Sequence, residues 1–245
     1  MSTNNFRLRF SLLLRYPIYT RLIQMCSLVT YSDMYSVITK EIMKTNSPSK
    51  LDKLIHSHVK ELFVAQADRP AALKDISLNR LSPFQRALLV ADGTVTRFIE
   101  AYKLIPVEVV LLYQARRTVH NEHSWLKLQE GGNIIAREVV LQTPCTEFQT
   151  PKIHAYAVSQ IVYERLPHNV VDGVESGIDG LGALLHHSQL EARRDLLWWG
   201  IERATGMPSS LAHFEGRPLL CRTYRIVANG NPLMLITEKF PLDDS

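Results

Sequence analysis

Two strand-like segments each carry one lone charge on an otherwise apolar face, and the two charges are opposite in sign. In NIIAREVVL (133–141), period-two alternation puts Ile135, Arg137, Val139 and Leu141 on one side. In PLMLITEKF (232–240), it puts Met234, Ile236, Glu238 and Phe240 on one side. A buried charge without a partner is too costly to keep. Each therefore needs a counter-group: the other charge, or a small ligand whose two ends carry matching groups. The first answer makes the chain a scaffold; the second makes it a site for a small polar molecule.

The hairpin between the last two strands sharpens this. The Asn229-Gly230 pair favours a two-residue turn. Pro232 then faces Val227 where its missing donor costs little. If Ala228 pairs with Asn231, Cys221, Thr223, Arg225 and Val227 share the face of Glu238, with Cys221 opposite it. Arg137, Arg225 and Glu238 then line one cavity. The plainer alternative is a buried ion pair of Glu238 with Arg137 or Arg225, since buried charges are usually paired. As a ligand anchor, arginine suits a carboxylate because its planar fork holds both oxygens. A glutamate in apolar surroundings resists ionisation, and so can donate a proton or accept a hydroxyl hydrogen.

Charge narrows the partners. The chain has 28 basic and 24 acidic residues, but Arg7, Arg9, Arg15 and Arg21 all precede the first acid, Asp33. The remaining 24 bases and 24 acids cancel. A neutral body argues against an extensive nucleic-acid surface. The basic start reads as a leader, or as a start codon assigned too early with Met25, Met34 or Met43 behind it. It also has the acid-poor, Arg-bearing look of an organelle transit peptide. It is too short for a membrane span. Three cysteines (Cys26, Cys145 and Cys221) at wide spacing give no disulfide framework, which suits a reducing compartment. Cytoplasm is the expected location, with a plastid or other organelle if the leader is a transit peptide.

The order of elements implies α+β: one domain with a mainly antiparallel sheet covered by helices around an enclosed ligand pocket. Residues 1–70 read as a partly helical or disordered extension, with a helical pattern over 51–66, and residues 71–245 as the domain. Ser82 is a cap with Pro83 at the first helical position, and the helix SPFQRALLVADG runs to Gly93. TVTRFIEAY follows with Thr94 as cap. VEVVLLYQ (107–114) is a buried strand, RRTVHNEH a polar excursion, and NIIAREVVL and IHAYAVSQIV are strands. Residues 168–180 read as a loop. LGALLHHSQLEARRDLLWWGIERA reads as one or two helices, with Trp198 and Trp199 packing in them.

Other motifs are weaker. GIDGLG (177–182) precedes a helix without following a clear strand, so it reads as a turn with Asp179 as N-cap rather than a phosphate cradle. His120 and His123 lack a third ligand at family spacing. GVESG lacks the spacing of a nucleophile elbow.

Taken in order, SPFQRALLVADGTVTRFIEAY, VEVVLLYQ, AREVVL, YAVSQIVYERLP, LEARRDLLWWG, CRTYRI and NGNPLMLITEKFP resemble the chorismate lyase (4-hydroxybenzoate synthase) family. The likeness is to its cyanobacterial and plastid-genome branch, over roughly residues 81–241. It implies an α+β domain that splits chorismate into 4-hydroxybenzoate and pyruvate without metal or cofactor. It implies Arg137 at the ring carboxylate and Glu238 at the ring hydroxyl, as catalytic residues. The resemblance also implies that Leu181 and Gly182 line the pocket and that Thr94 and Val95 belong to a lid or wall over the ring. Arg225 is a candidate second cation for the pyruvyl carboxylate. Arg137 and Glu238 must then lie one ring and two hydrogen bonds apart. The expected partner is chorismate alone, with no nucleic acid, no stable membrane insertion and a monomeric state, in quinone or related aromatic biosynthesis. Two alternatives stand: a non-catalytic aromatic-carboxylate-binding domain of the same fold, as in some bacterial transcription regulators, and a related enzyme yielding a different hydroxybenzoate.

Overall fold

Asn229 (φ 50°) and Gly230 (φ 75°) both sit in the left-handed region, and they turn strand Pro218–Ala228 back onto strand Asn231–Pro241. That is the geometry a two-residue hairpin needs. The computed structural model describes residues 57–145, 150–177 and 180–242, which belong to the unit Leu54–Ser245. Six strands form one antiparallel sheet: β1 (Glu108–Thr118), β2 (Asn133–Gln142), β3 (Ile153–Ile161), β4 (Arg193–Arg203), β5 (Pro218–Ala228) and β6 (Asn231–Pro241). Their order is β1-β2-β3-β6-β5-β4. The fold is α+β, as expected.

Four helices follow the helical residues 57–61: α1 (Pro83–Val90), α2 (Val95–Lys103), α3 (His168–Ser176) and α4 (Leu181–His187). Ser82 caps α1 in a reciprocal box with Gln85, and Pro83 occupies the first turn. Thr94 is the residue before α2, and Leu104 ends that helix in the left-handed conformation. All four contribute to cores on one face of the sheet. Val170, Val171, Val174, Leu184 and Leu185 from α3 and α4 pack on Ile135, Ile161, Met234 and Ile236. Leu88, Leu89, Val95 and Ile99 from α1 and α2 pack on Leu141, Leu220, Trp199 and Phe240. The other face is covered by short elements, including a 3-10 turn at Ser209–Phe214 whose Leu211 packs on Val140 and Tyr156.

Several sequence expectations change. Residues 168–180 were expected to be a loop, yet α3 occupies most of that stretch. Its three valines fall on one helical face, and Gly177 (φ 71°) ends it. LEARRDLLWWGIERA was expected to be helical, but RRDLLWWGIER is strand β4. A continuous apolar run fits a strand buried on both faces as well as a helix. Trp198 joins the core on one face of the sheet and Trp199 the core on the other. Strand β1 is an edge strand rather than a buried one, with Leu111 38% exposed, and it runs through Thr118 into the supposed polar excursion. The helix expected over 51–66 is seen, among the described residues, at 57–61. It gives way because the Val64 and Ala65 amides donate to Leu196 and Leu197 carbonyls (2.9 and 3.0 Å), pairing the chain with the edge of β4. Phe63 and Ala65, from the stretch expected to be an extension, are buried in the domain cores. The leader and Asp179 lie outside the described residues.

The same edge of β4 generates a stability prediction. Lys74 pairs with Ile201, and a Cβ placed on Gly200 meets the Lys74 carbonyl oxygen at 2.8 Å and Leu73 Cβ at 3.1 Å. Backbone cannot swing aside as a side-chain tip can. Gly200→Ala therefore lowers unfolding free energy by about 1–3 kcal/mol, read as an earlier denaturant midpoint with an unchanged slope.

Candidate functional site

One extra residue in β6 sets the site. Ala228 pairs with Asn231 and Val227 with Pro232, as the turn requires, but Ile226 pairs with Met234. Leu233 is left over as a bulge. A one-residue slip flips every side chain relative to the partner strand. Glu238 therefore faces Arg222, not Cys221. Arg222, Tyr224 and Ile226 share its face, and Cys221, Thr223 and Arg225 do not.

Three rows of side chains then run across the helix-covered face. Val139, Ala157, Glu238, Arg222 and Trp199 make one row. Arg137, Ser159, Ile236, Tyr224 and Leu196 make the next, and Ile135, Ile161, Met234, Ile226 and Arg194 the third. The middle strand, β3, contributes Ala157 and Ser159 between Arg137 on β2 and Glu238 on β6. Small side chains there leave a hollow. Two strand spacings across and two residues along put the Arg137 and Glu238 Cα atoms roughly 12 Å apart.

The hollow is a cavity of about 250 Å³. Its lining includes Arg137 and Glu238, Thr94 and Val95 at the start of α2, and Leu181 and Gly182 at the start of α4. Arg194, Tyr224 and Ser159 join them. Gly182 packs tightly on the α2 cap: a Cβ there would meet Thr94 Oγ1 at 2.8 Å. Of the seven residues singled out from sequence, only Arg225 is absent from the lining. Its Nε bonds Asp195 Oδ2 at 2.9 Å. Burial disfavours the Asp195 charge, but hydrogen bonds from Arg193 and Arg225 hold its carboxyl below the ordinary value.

The two ends of the cavity are built differently. Arg137 is 1% exposed. Its Nη1 donates to Gln114 Oε1 (2.9 Å) and the Val174 carbonyl (3.3 Å), and its Nη2 to the Gly177 carbonyl (3.4 Å). The carbonyl-rich end of α3 thus faces the guanidinium, the end that favours a cation. Glu238 is bonded to neither Arg137 nor Arg225. Its Oε2 accepts from Arg222 Nε at 2.7 Å and its Oε1 from the Tyr224 hydroxyl at 3.0 Å. Burial first, then the Glu238 charge, push the Tyr224 phenol well above its ordinary value, so it stays protonated and donates. Arg222 is fully buried, and its Nη1 also donates to the Leu88, Leu89 and Ala91 carbonyls at the end of α1. The ion pair expected as the plainer alternative therefore exists, but with an unforeseen arginine, and it coexists with the cavity.

Arg222, Tyr224 and Arg194 were missed. The first two carried no visible signal without the Leu233 bulge, and Arg194 was hidden in a stretch read as helix. His123 is taken up by structure: its Nε2 lies 2.7 Å from Gln160 Oε1, and its Nδ1 accepts from the Leu126 amide. Among the described residues no cluster of three or more His, Cys, Asp or Glu side chains could hold a metal. None of the described helices is long and apolar enough to cross a membrane.

The chain is similar to known proteins. Chorismate pyruvate-lyases of Mycobacterium tuberculosis (strain CDC 1551 / Oshkosh) and Mycobacterium bovis (strain ATCC BAA-935 / AF2122/97) are each 24% identical over 180 residues, covering 69% of this chain and 84% of theirs. Among solved structures, the C-terminal domain of the histidine utilization repressor from Pseudomonas syringae is 13% identical, with a TM-score of 0.41 over 55% of this chain and 91% of that one. Residues 89–244 match the family model described as chorismate pyruvate-lyase, Rv2949c-like, and the chain belongs to that family.

Proposed function

We propose that this protein is a chorismate pyruvate-lyase that releases 4-hydroxybenzoate and pyruvate. The observation that carries the reading is one cavity lined by both Arg137 and Glu238, which are not bonded to each other. Chorismate has a ring carboxylate at C1, a hydroxyl para to it at C4, and an enolpyruvyl ether at C3. Arg137 takes the C1 carboxylate through its fork, backed by Gln114 and the end of α3. Glu238, fixed by Arg222 and Tyr224, accepts the C4 hydroxyl hydrogen on its remaining lone pairs. The low floor at Ala157 and Ser159 admits the ring.

The chemistry needs two bonds broken. The C4–H bond gives its electron pair to the ring, the C3–O bond breaks, and the ring becomes aromatic. The ether oxygen leaves as the enolate of pyruvate, which takes a proton on its methylene carbon. Glu238, beside C4, is the group we assign to receive the ring proton and return it to the enolpyruvyl carbon. Orientation and charge stabilisation supply the rest. The place in the cyanobacterial and plastid branch rests on the segment likeness alone, and a role in quinone or related aromatic biosynthesis follows from the product.

The direct test is purified full chain with chorismate, following pyruvate by a coupled reductase and identifying the aromatic product by chromatography and mass. Binding without pyruvate would favour the non-catalytic alternative, and another isomer would redirect the chemistry. Arg137→Met is expected to lower kcat/KM by roughly 30- to 5,000-fold, the loss typical of truncating a buried charged contact, with an unchanged far-UV spectrum. Ala157→Leu fills the floor of the cavity. It is expected to abolish ligand binding by calorimetry while the protein stays folded. Glu238→Gln removes turnover and leaves Arg222 buried without its counter-charge, at a cost of about 3–5 kcal/mol in stability. Adding Arg222→Met to it restores part of that stability, by denaturant midpoint, and none of the turnover.

A further inference from the structure

We infer that Arg194 is the anchor for a second carboxylate, and therefore the residue that selects the dianionic enolpyruvyl substrate over a simple aromatic acid. The inference rests on the lyase reading and deepens it. With C1 held at Arg137 and C4 at Glu238, the substituent on C3 leaves the ring in the Glu238 half of the cavity. A cation in that half must meet its carboxylate, or the charge stays unbalanced in a partly buried space.

The lining offers three arginines, Arg97, Arg137 and Arg194. Arg137 holds the far end, and Arg97 is exposed on α2. Arg222 is committed to Glu238 and three carbonyls, and Arg225 to Asp195. Arg194 remains. Its guanidinium lies 5.8 Å from the centre of the Tyr224 ring, whose hydroxyl bonds Glu238. One tyrosine thus separates it from the carboxylate at the reacting end. Its own tethers are slight. Nη1 reaches the Asp92 carbonyl at 3.3 Å and the Asp92 carboxylate only at 3.7 Å, and that aspartate is 76% exposed. Its buried Nε has no hydrogen-bond partner among the described residues. A buried donor left so is unusual in a folded protein, and a ligand oxygen would satisfy it.

Arg194 also stands where two cavities meet. A second hollow of about 320 Å³ shares Gly93, Thr94, Arg97, Gly182, Arg194 and Ile226 with the first, and of its two shared arginines Arg97 is the exposed one. A carboxylate on Arg194 would lie toward that second space. The enolpyruvyl arm then points away from the ring site, and pyruvate departs without crossing the aromatic product.

The test compares two ligands that differ in this one group. Chorismate carries both carboxylates; 4-hydroxybenzoate carries only the ring carboxylate. Arg194→Met is expected to lower kcat/KM for chorismate by about 100-fold, within the range for a lost charged contact, and to change the 4-hydroxybenzoate Kd less than about threefold. Arg194→Lys, which keeps the charge and loses the fork, falls between. Arg137→Met weakens both ligands. Equal weakening of the two ligands by Arg194→Met would assign it a wall role and overturn the inference, as would unchanged chorismate kinetics. If the wild-type chain releases no pyruvate, the lyase reading fails, and calorimetry with the same two ligands still decides. A loss confined to chorismate upholds Arg194, and no such selectivity, or no binding of chorismate at all, rejects it.

Discussion

Leu233 decides which side chain meets Glu238, and the site follows from that meeting. Without the bulge, the register that starts at Ala228 and Asn231 would carry Cys221 to Glu238 and leave the carboxylate with no cation directly opposite it. With it, Arg222 arrives opposite. Arg222 is fully buried and Glu238 nearly so, and Coulomb attraction alone does not guarantee a net gain. Each member also has further partners. Tyr224 donates to the second carboxylate oxygen, and three carbonyls from the end of α1 accept from Arg222. A buried network of this kind holds one geometry when its members are satisfied and is costly when one is lost.

The elements visible in sequence were those whose signal is local. The Ser82–Pro83 start, the start of α2 after Thr94, the Asn229-Gly230 turn and the alternation of β2 and β6 each depend on a few neighbouring residues. The face holding Ile135, Arg137, Val139 and Leu141 is the face that lines the cavity or packs under the helices. Elements that depend on distant contacts were not visible. Residues 193–203 become a strand because their backbone finds β5 on one side and residues 64–65 and 74 on the other. Their apolar run alone does not separate strand from helix. Residues 168–176 become a helix because Val170, Val171 and Val174 find a core on the sheet.

Site residues divide the same way. Arg137 and Glu238 stood out because each was a lone charge in an apolar pattern, which is a property of its own strand. The partner of Glu238 was not legible, because pairing across strands depends on a bulge that leaves no mark in composition. Leu233 looks like any other apolar residue of β6. The unbroken register placed Arg225 on the face of Glu238, and the bulge turned it to Asp195 on the other face instead. A second bulge matters in the same manner. Leu197 is the extra residue of β4 against β5, so Trp199 rather than Trp198 shares the face of Arg222 and Arg194.

Arg222 also links the carboxylate to the cavity wall. The carbonyls it binds belong to Leu88, Leu89 and Ala91, and the chain runs on through Gly93 and Thr94, which line the cavity. Thr94 in turn lies against Gly182, where even a Cβ would collide. Glu238, the start of α2 and the start of α4 are therefore held in one series of contacts. A shift of α1 large enough to widen the cavity must lengthen bonds to Arg222, and Arg222 cannot follow without leaving Glu238. The position of the Glu238 carboxylate and that of the segment leading into the cavity wall are thus tied to the same guanidinium. Preorganisation of that kind holds a charged group in one place before any ligand arrives.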